Sequence, residues 1–144
     1  MKLDQIHEMW DIDSKIDPTE LDRESLKISE LHAKYFRIFN KERLVLLKFE
    51  KELTVLRKDK YEFYTQGPSD EHLKRGWTYP GGKILKNEAN IYIDSDHDVV
   101  ELSLKIAYQK EKIELLEHII RSLNSRNFQI KHAIDFLRWS HGQN

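Results

Sequence analysis

The most concentrated set of residues able to do chemistry lies immediately before Gly67. The run Leu56-Arg57-Lys58-Asp59-Lys60-Tyr61-Glu62-Phe63-Tyr64 places three cations within four residues and continues with three aromatic side chains. Lys and Arg bind phosphate groups, and aromatic faces stack on unpaired bases. The same residue types alternate again after Gly67, in the segment that holds Lys74, Arg75, Trp77, Tyr79, Lys83 and Lys86.

This pattern predicts a surface that binds a single-stranded nucleic acid. The predicted contacts are Arg57, Lys58, Lys60, Tyr61, Tyr64, Lys74, Arg75 and Trp77. We expect Lys58 and Lys60 to contact phosphates with the help of Arg57, and the aromatic side chains to stack on bases. The alternative interpretation is a solvated helix end whose aromatic side chains close the core under a loop.

Other combinations of residues fail the spacing that their chemistry requires. The acidic run 94–98 resembles the start of a calcium loop, but Val99 and Lys105 occupy the positions of the required Gly and Glu, so it is better explained as an acidic helix N-terminus. Pro80-Gly81-Gly82-Lys83 lacks the spacing of a phosphate-binding loop. The chain has no cysteine, no tight histidine spacing and no nucleophile beside a positioned base. We therefore expect no metal, no cofactor and no catalytic activity.

Length and composition favour a single small domain without a membrane segment. The chain has 144 residues, a net charge of −1, 34% charged and 39% hydrophobic residues, and no run of about 18 apolar residues. Since no apolar leader is present either, we expect a soluble intracellular protein. The charge is unevenly distributed: residues 1–32 hold four Lys or Arg against nine Asp or Glu, whereas residues 33–67 hold nine against five. A basic centre beside an acidic N-terminal part is compatible with a polyanionic partner.

Gly and Pro divide the sequence into two long helical segments and a central loop. Apolar residues recur at intervals of three and four in both segments, which is typical of amphipathic helices. The predicted parts of one all-α domain, 1–144, are a short helix or arm over 1–16, a long helix over 17–67, a loop over 68–95 and a helical region over 96–141.

Three details refine this outline. Pro18 suits the first turn of the long helix, and Asn90-Ile91-Tyr92-Ile93 resembles a short strand within the loop. The polar run 124–127 leaves open whether the second helix is continuous or broken.

The second helical region carries an apolar stripe that a single chain has difficulty burying. Its members are Ile113, Leu116, Ile120, Leu123, Ile130, Ile134 and Leu137. Two helices packed as a pair bury one stripe each, so an all-α homo-oligomer is the simplest way to cover the remaining apolar surface. We expect this stripe to support assembly, and a monomeric helical hairpin is the alternative.

Two motifs of the chain resemble those of the UvsY family of phage recombination mediators. The segment from Leu56 to Gly67 resembles the family's Leu-Lys-Ala-Arg-Leu-Asp-Tyr-Tyr-Ser-Gly: Lys58 and Lys60 match the two cations, Glu62 the acid and Phe63-Tyr64 the paired aromatics. The run 125–134 is similar to the family's Ser-Arg-Gly-Phe-Ala-Ile-Lys-His-Ile. The chain departs from the family pattern at Asp59, Tyr61 and Asn127, and most strongly in the loop after Gly67.

The resemblance implies an all-helical protein that assembles through its C-terminal region into a ring, a hexamer or heptamer. It implies binding of single-stranded DNA without sequence preference. It also implies contacts with a recombinase of the UvsX type and with the phage single-stranded DNA-binding protein, in the host cell cytoplasm. Such a mediator loads the recombinase onto covered strands in recombination, repair and recombination-dependent replication. The alternative function is a non-catalytic coiled-coil adaptor that binds no nucleic acid.

Overall fold

The computed structural model describes residues 1–81 and 84–142, and these residues form an all-α fold. Its helices are α1 (Leu3–Asp13), α2 (Leu21–Gln66), α3 (Asp70–Lys74), α4 (Ala89–Ser95) and α5 (His97–Ser140). The predicted fold class is confirmed. Gly82 and Lys83, which the sequence analysis placed in the loop, lie outside the described residues. No helix in the described ranges is both long enough and apolar enough to span a bilayer.

The bounds of α2 follow from local chemistry. The Asp17 carboxylate accepts hydrogen bonds from the Thr19 backbone N–H (2.9 Å) and hydroxyl (2.6 Å), which orders a turn before the helix. The helix therefore begins at Leu21, after this turn, rather than around Pro18 as predicted. It ends before Gly67, whose φ of 87° is a left-handed conformation that glycine adopts at helix C-termini without a steric penalty.

The segment predicted as a short strand belongs to a helix. Residues 90–93 lie in α4, where Ala89 and Ile93 are buried four positions apart, as expected for one face of a helix. The segment 68–95, which was predicted as a loop and is called the irregular segment below, thus contains two short helices, α3 and α4.

The polar run 124–127 does not break the second long helix, because a tertiary contact supports it there. Arg126 is 4% exposed and lies within the continuous α5. Its guanidinium donates to the backbone carbonyl oxygens of Asp13 (3.3 and 3.4 Å) and Ser14 (3.0 Å) at the end of α1. These bonds to α1 offset the modest helix propensity of the run.

The chain forms two compact units. Unit 1 combines residues 1–44 with the part of the described chain that begins at Gln109. Its fully buried side chains are Ile6, Tyr35, Leu116, Ile119 and Leu123, so α1 and parts of α2 and α5 share one core. Trp10 meets Tyr35 edge to face, with ring centroids 5.5 Å apart.

Unit 1 also contains a buried polar group around one carboxylate, which we name the Glu42 cluster (Glu42, Gln109, Lys112 and the N-terminal ammonium of Met1). Gln109 donates to the Glu42 carboxylate at 2.6 Å and to its backbone oxygen at 2.8 Å. The Lys112 ammonium lies 3.0 Å from the same carboxylate, and the N-terminal ammonium lies 3.7 Å away. Every buried charge in this cluster is therefore paired, as low-dielectric surroundings require.

Unit 2 spans residues 45–108 and contains the predicted nucleic-acid site. Its core consists of Phe63, Tyr64, Ile84, Ile93 and Val99, with Leu53, Leu56, Trp77 and Tyr79 packed against it. Phe63 is the centre of an aromatic group: the rings of Trp77 and Tyr79 meet it edge to face at 5.4 and 5.6 Å. Burying such a side chain contributes about 1.5–3 kcal/mol, so this packing holds the irregular segment against the end of α2.

Candidate nucleic-acid interface

The C-terminal part of α2 has an exposed side and a buried side, and the two lysines of the basic run lie on different sides. Lys58 is exposed, whereas Lys60 is 2% exposed. Two positions along an α-helix correspond to a rotation of about 200°, so these side chains point in nearly opposite directions. The two lysines therefore occupy different environments.

The Lys60 ammonium is enclosed by two carboxylates and an aromatic ring. It lies 3.1 Å from Asp96 and 3.0 Å from Asp98, and 3.7 Å from the centroid of the Trp77 ring. The expectation that Lys60 contacts phosphates is corrected by this geometry: its charge is already paired inside unit 2. We name this group, together with Tyr64, the Lys60 cluster.

Tyr64 belongs to the same buried group and is not available to stack on a base. It is 7% exposed, and its hydroxyl donates a 2.7 Å hydrogen bond to the Asp96 carboxylate. Burial, and then the neighbouring carboxylate, raise the pKa of the Tyr64 hydroxyl above its usual value, so it remains a donor. The sequence expectation of base stacking is thus corrected for Tyr64.

Asp96 joins the Lys60 cluster to the start of α5. One carboxylate oxygen accepts from the backbone N–H groups of Asp98 (2.9 Å) and Val99 (3.3 Å), which caps the helix. The other oxygen meets Lys60 and Tyr64. Burial alone would raise the pKa of Asp96, but the hydrogen bonds from Tyr64, Lys60 and the Val99 backbone together hold it below its usual value. The carboxylate is therefore charged at neutral pH.

Trp77, predicted to stack on a base, packs within unit 2. Its ring is stacked on His72 at 5.0 Å and meets Phe63 edge to face. The Arg75 guanidinium lies 5.1 Å from its centroid, in addition to Lys60. Because these contacts already engage the indole, the structure corrects the expectation of a free stacking surface here.

Arg57 and Arg75 are partly exposed and paired with surface carboxylates. Arg57 contacts Asp94 at 2.9 Å, and Arg75 contacts Asp59 at 3.3 Å and Glu71 at 3.1 Å. Exposed pairs of this kind contribute about 0–1 kcal/mol, so a phosphate can replace the carboxylate at little cost. Both arginines remain candidates for strand contacts.

Lys58, Tyr61 and Lys74 remain exposed as predicted. Lys58 makes no ion pair within residues 1–81 and 84–142, and Tyr61, 40% exposed, follows it by one helical turn. Lys74 is the last residue of α3. We name Arg57, Lys58, Tyr61 and Arg75 the exposed basic patch.

The predicted assembly stripe divides into a buried part and an exposed part. Within unit 1 the buried members are Ile113, Leu116, Leu123 and Ile130, with Ile120 partly buried. These five are covered within the chain itself, so they are not free to support assembly as expected. From residue 131 to 142 every residue is exposed, so Ile134 and Leu137 remain available.

Comparison with known families decides the identity of this helical chain. A family model described as "Recombination, repair and ssDNA binding protein UvsY" matches residues 9–143. The chain belongs to the UvsY family. A search of curated protein sequences gave no match.

Solved structures of a UvsY protein have a similar fold. Crystal structures of the bacteriophage T4 recombination mediator protein UvsY superpose with a TM-score of 0.85 in lattice type II (20% identity, 98% of both chains covered). In lattice type IV the TM-score is 0.84, at 21% identity over 96% of this chain and 99% of that chain. At this level of identity the likeness establishes the shared UvsY fold alone.

The acidic partners of the basic run were not predicted from the sequence. Asp94, Asp96 and Asp98 were interpreted only as a helix N-terminus, and Asp96 does cap α5. All three also contact cations of α2: Asp94 contacts Arg57, and both Asp96 and Asp98 contact Lys60. These acids occur at every second position, as Lys58 and Lys60 do. Opposite charge in two neighbouring elements was the available signal.

In the described part of the chain, no group of His, Asp and Glu has the geometry of a metal site.

Proposed function

We propose that this protein is a recombination mediator that binds single-stranded DNA without sequence preference and hydrolyses nothing. It helps to load a recombinase of the UvsX type onto strands covered by the phage single-stranded DNA-binding protein. Membership of the UvsY family supports the role in recombination. The observation that carries the DNA contact is the exposed basic patch, in which three cations and one aromatic ring are exposed on or beside the C-terminal part of α2.

The exposed basic patch suits a strand that must be bound and released. Lys58 offers an ammonium that has no ion pair among the described residues, and Arg57 and Arg75 exchange a surface carboxylate for a phosphate. Such contacts are weak and depend on salt, since they release counterions from the strand. One patch therefore gives modest affinity, and several copies in an assembly bind one strand more tightly through effective concentration.

The C-terminal end of α5 supports the assembly part of the proposal. Residues 131–142 are all exposed, and α5 continues through them to Ser140, although this end carries large apolar side chains. The most exposed of these are Phe136 (63%) and Trp139 (74%), and Phe128 (67%) is exposed just before Ile130. A helix segment of this length is marginal in water by itself. We propose that other copies of the chain cover it in a ring-shaped homo-oligomer.

Binding of fluorescent oligo-dT, followed by anisotropy across a salt series, tests the DNA contact. We expect binding that weakens with salt, and we expect Lys58→Met to reduce the affinity and to reduce the slope of log K against log salt by about 0.7, the value for one phosphate contact on a single strand. Lys15→Met, which removes an equal charge from an exposed lysine before α2, is the matched control and leaves the slope unchanged. Absence of binding at low salt by a folded oligomer would favour the adaptor instead.

Light scattering tests the assembly. The wild type is expected to have a mass of several chains, and Phe136→Ser with Trp139→Ser is expected to shift it toward the monomer while the helical circular dichroism of unit 1 is retained. A monomer of constant mass across concentrations in the wild type contradicts the proposed ring.

A further inference from the structure

Lys60 matches one of the two cations of the family motif, and the sequence predicts that it contacts DNA phosphates. The structure instead encloses its ammonium group. Its side chain is 3% exposed and that of Asp96 is 7% exposed, whereas the Asp98 side chain is 42% exposed. No phosphate can reach the ammonium without first separating it from two carboxylates and the Trp77 ring. A loss of DNA binding on changing Lys60 therefore requires another explanation than a lost contact.

We propose that Lys60 is a positioning residue for single-stranded DNA binding, which acts through the Lys60 cluster on the exposed basic patch and does not touch the strand. The inference rests on the proposed function, because it concerns how the patch that binds the strand is held.

The Lys60 cluster joins the three segments that carry or hold the patch. Lys60 belongs to α2, Trp77 to the segment after α3, and Asp96 to the junction of α4 with α5. The Lys60 ammonium lies 3.1 Å from the Asp96 carboxylate and 3.7 Å from the centroid of the Trp77 ring. Removing the ammonium therefore weakens the attachment of two segments to α2 at once, although the contacts of Phe63 with Trp77 and of Tyr64 with Asp96 remain.

Three members of the cluster, Lys60, Trp77 and Asp96, stand two residues from a member or partner of the exposed basic patch. Lys60 follows Lys58 on α2, and Trp77 follows Arg75. Asp96 follows Asp94, the residue that orients Arg57 at 2.9 Å. Through these short backbone connections, displacement of Trp77 or Asp96 moves Arg75 or the partner of Arg57. The cluster thus lies directly behind the patch and fixes the spacing of its cations.

The charges of the cluster distinguish a positioning role from a contact. When Lys60 alone is replaced by Met, the buried Asp96 carboxylate loses its counter-charge, which is costly in a low-dielectric site. When Asp96 is also replaced by Asn, no buried charge is left uncompensated, because the remaining carboxylate, that of Asp98, is 42% exposed to solvent. The Asn oxygen still accepts from the backbone N–H groups of Asp98 and Val99, and the Asn amide N–H donates to the Tyr64 hydroxyl, which then acts as the acceptor. The helix cap and the contact with Tyr64 are therefore retained.

The experiment compares oligo-dT affinity and its salt slope for Lys60→Met, Asp96→Asn, the double variant and Lys58→Met, each with a melting curve. We expect Lys60→Met to bind about tenfold more weakly, which corresponds to about 1.4 kcal/mol, and to melt at a lower temperature. The double variant recovers wild-type affinity within about threefold and keeps the wild-type slope. Lys58→Met loses affinity with a reduced slope and a normal melting temperature, and adding Asp96→Asn does not rescue it.

Three outcomes overturn the proposal. A double variant that melts normally but binds as weakly as Lys60→Met, with a reduced slope, assigns a phosphate contact to Lys60. Wild-type binding by Lys60→Met removes the cluster from the function altogether. If the double variant does not fold, the oligo-dT affinity of Asp96→Asn, which keeps every cation, decides instead. A positioning role predicts weaker binding than in the wild type. Tighter binding indicates that Lys60 has been released to contact the DNA strand. If the wild type itself binds no oligo-dT, the proposed function fails first, and that failure is visible without any variant.

Discussion

Two buried charge clusters, one in each unit, solve the same electrostatic problem with opposite signs. In the Glu42 cluster a carboxylate is surrounded by Lys112, Gln109 and the N-terminal ammonium. In the Lys60 cluster an ammonium is surrounded by Asp96, Asp98 and the Trp77 ring. Both central groups come from α2, and both sets of partners include residues of α5 or its N-terminal junction. An amphipathic helix can therefore bury a charged residue of either sign when a second helix supplies the counter-charge.

The surroundings of the two clusters differ in a way that matters for function. The Glu42 and Lys112 side chains are 5% and 9% exposed, so the Glu42 cluster is enclosed within unit 1. The Lys60 cluster includes Asp98, which is partly exposed. Its members Lys60 and Trp77 each follow a residue of the exposed basic patch by two positions. We infer that the first cluster serves stability alone, and the second serves both stability and the DNA-binding surface.

The largest expected effect is on the Glu42 cluster. Glu42→Gln leaves the buried Lys112 ammonium without its carboxylate, and breaking a buried pair in this way costs about 3–5 kcal/mol. Urea unfolding followed by circular dichroism measures the loss. The fraction that remains folded should keep the wild-type salt slope for oligo-dT. A reduced slope would remove the functional distinction between the two clusters.

A matched pair of tyrosines gives the next largest effect. The Tyr35 hydroxyl donates to Asp13 in unit 1, and the Tyr64 hydroxyl donates to Asp96 in unit 2, both at 2.7 Å. Replacing either tyrosine with Phe removes one hydrogen bond to a charged acceptor, so each variant should lose about 1.5–3 kcal/mol in urea unfolding. Only Tyr64→Phe is expected to weaken oligo-dT binding as well. Equal losses of DNA affinity in the two variants would contradict the comparison.

Acid provides a smaller and graded test of both clusters. Although burial opposes it, hydrogen bonds and cations hold the pKa values of Glu42 and Asp96 below the ordinary values of 4.5 and 3.8. Because the folded-state pKa is the lower one, each carboxylate stabilises the fold above its ordinary pKa. That contribution is lost as the pH falls toward the folded-state pKa. Urea unfolding between pH 7 and pH 3 should show this loss in the wild type and less of it in Glu42→Gln and Asp96→Asn. An equally steep loss in both variants would assign the acid sensitivity to other groups.

The smallest expected effect on stability is that of Lys58→Met. An exposed lysine without an ion pair in the described residues contributes little, so the change in unfolding free energy should stay within about 0.5 kcal/mol. Lys60→Met, two residues away, should cost several times more in the same urea titration. Equal and small losses for the two lysines would indicate that the Lys60 cluster is not a buried pair in solution.

The long helices could be predicted from the sequence because their signals are local. Freedom from Gly and Pro, apolar spacing and the stop at Gly67 all act within a few residues. The strand predicted at 90–93 was wrong because four residues are too few to separate a helical period from an extended one. The continuity of α5 could not be predicted, since the Arg126 contacts with Asp13 and Ser14 join residues more than a hundred positions apart.

The candidate site was only partly predictable for the same reason. Residue types identified the basic run, and the structure keeps Arg57, Lys58, Tyr61, Lys74 and Arg75 at least partly exposed. Whether an aromatic side chain of this run covers the core or faces solvent depends on the elements that pack against it. Tyr64 of the run and Trp77 beyond it contact such elements, whereas Tyr61 is 40% exposed.

The sequence by itself determined that Lys58 and Lys60 point in different directions, because two positions on a helix always do. It also determined the helical class, since the periodicity and the punctuation admit little else. Only the tertiary structure decided which lysine is buried. That choice depends on the chain returning, after Gly67 and an irregular segment, to place Asp96 and Asp98 against one side of α2. A buried ammonium is stable only where such counter-charges are present, so the fold selects Lys60 for the interior and leaves Lys58 to the surface.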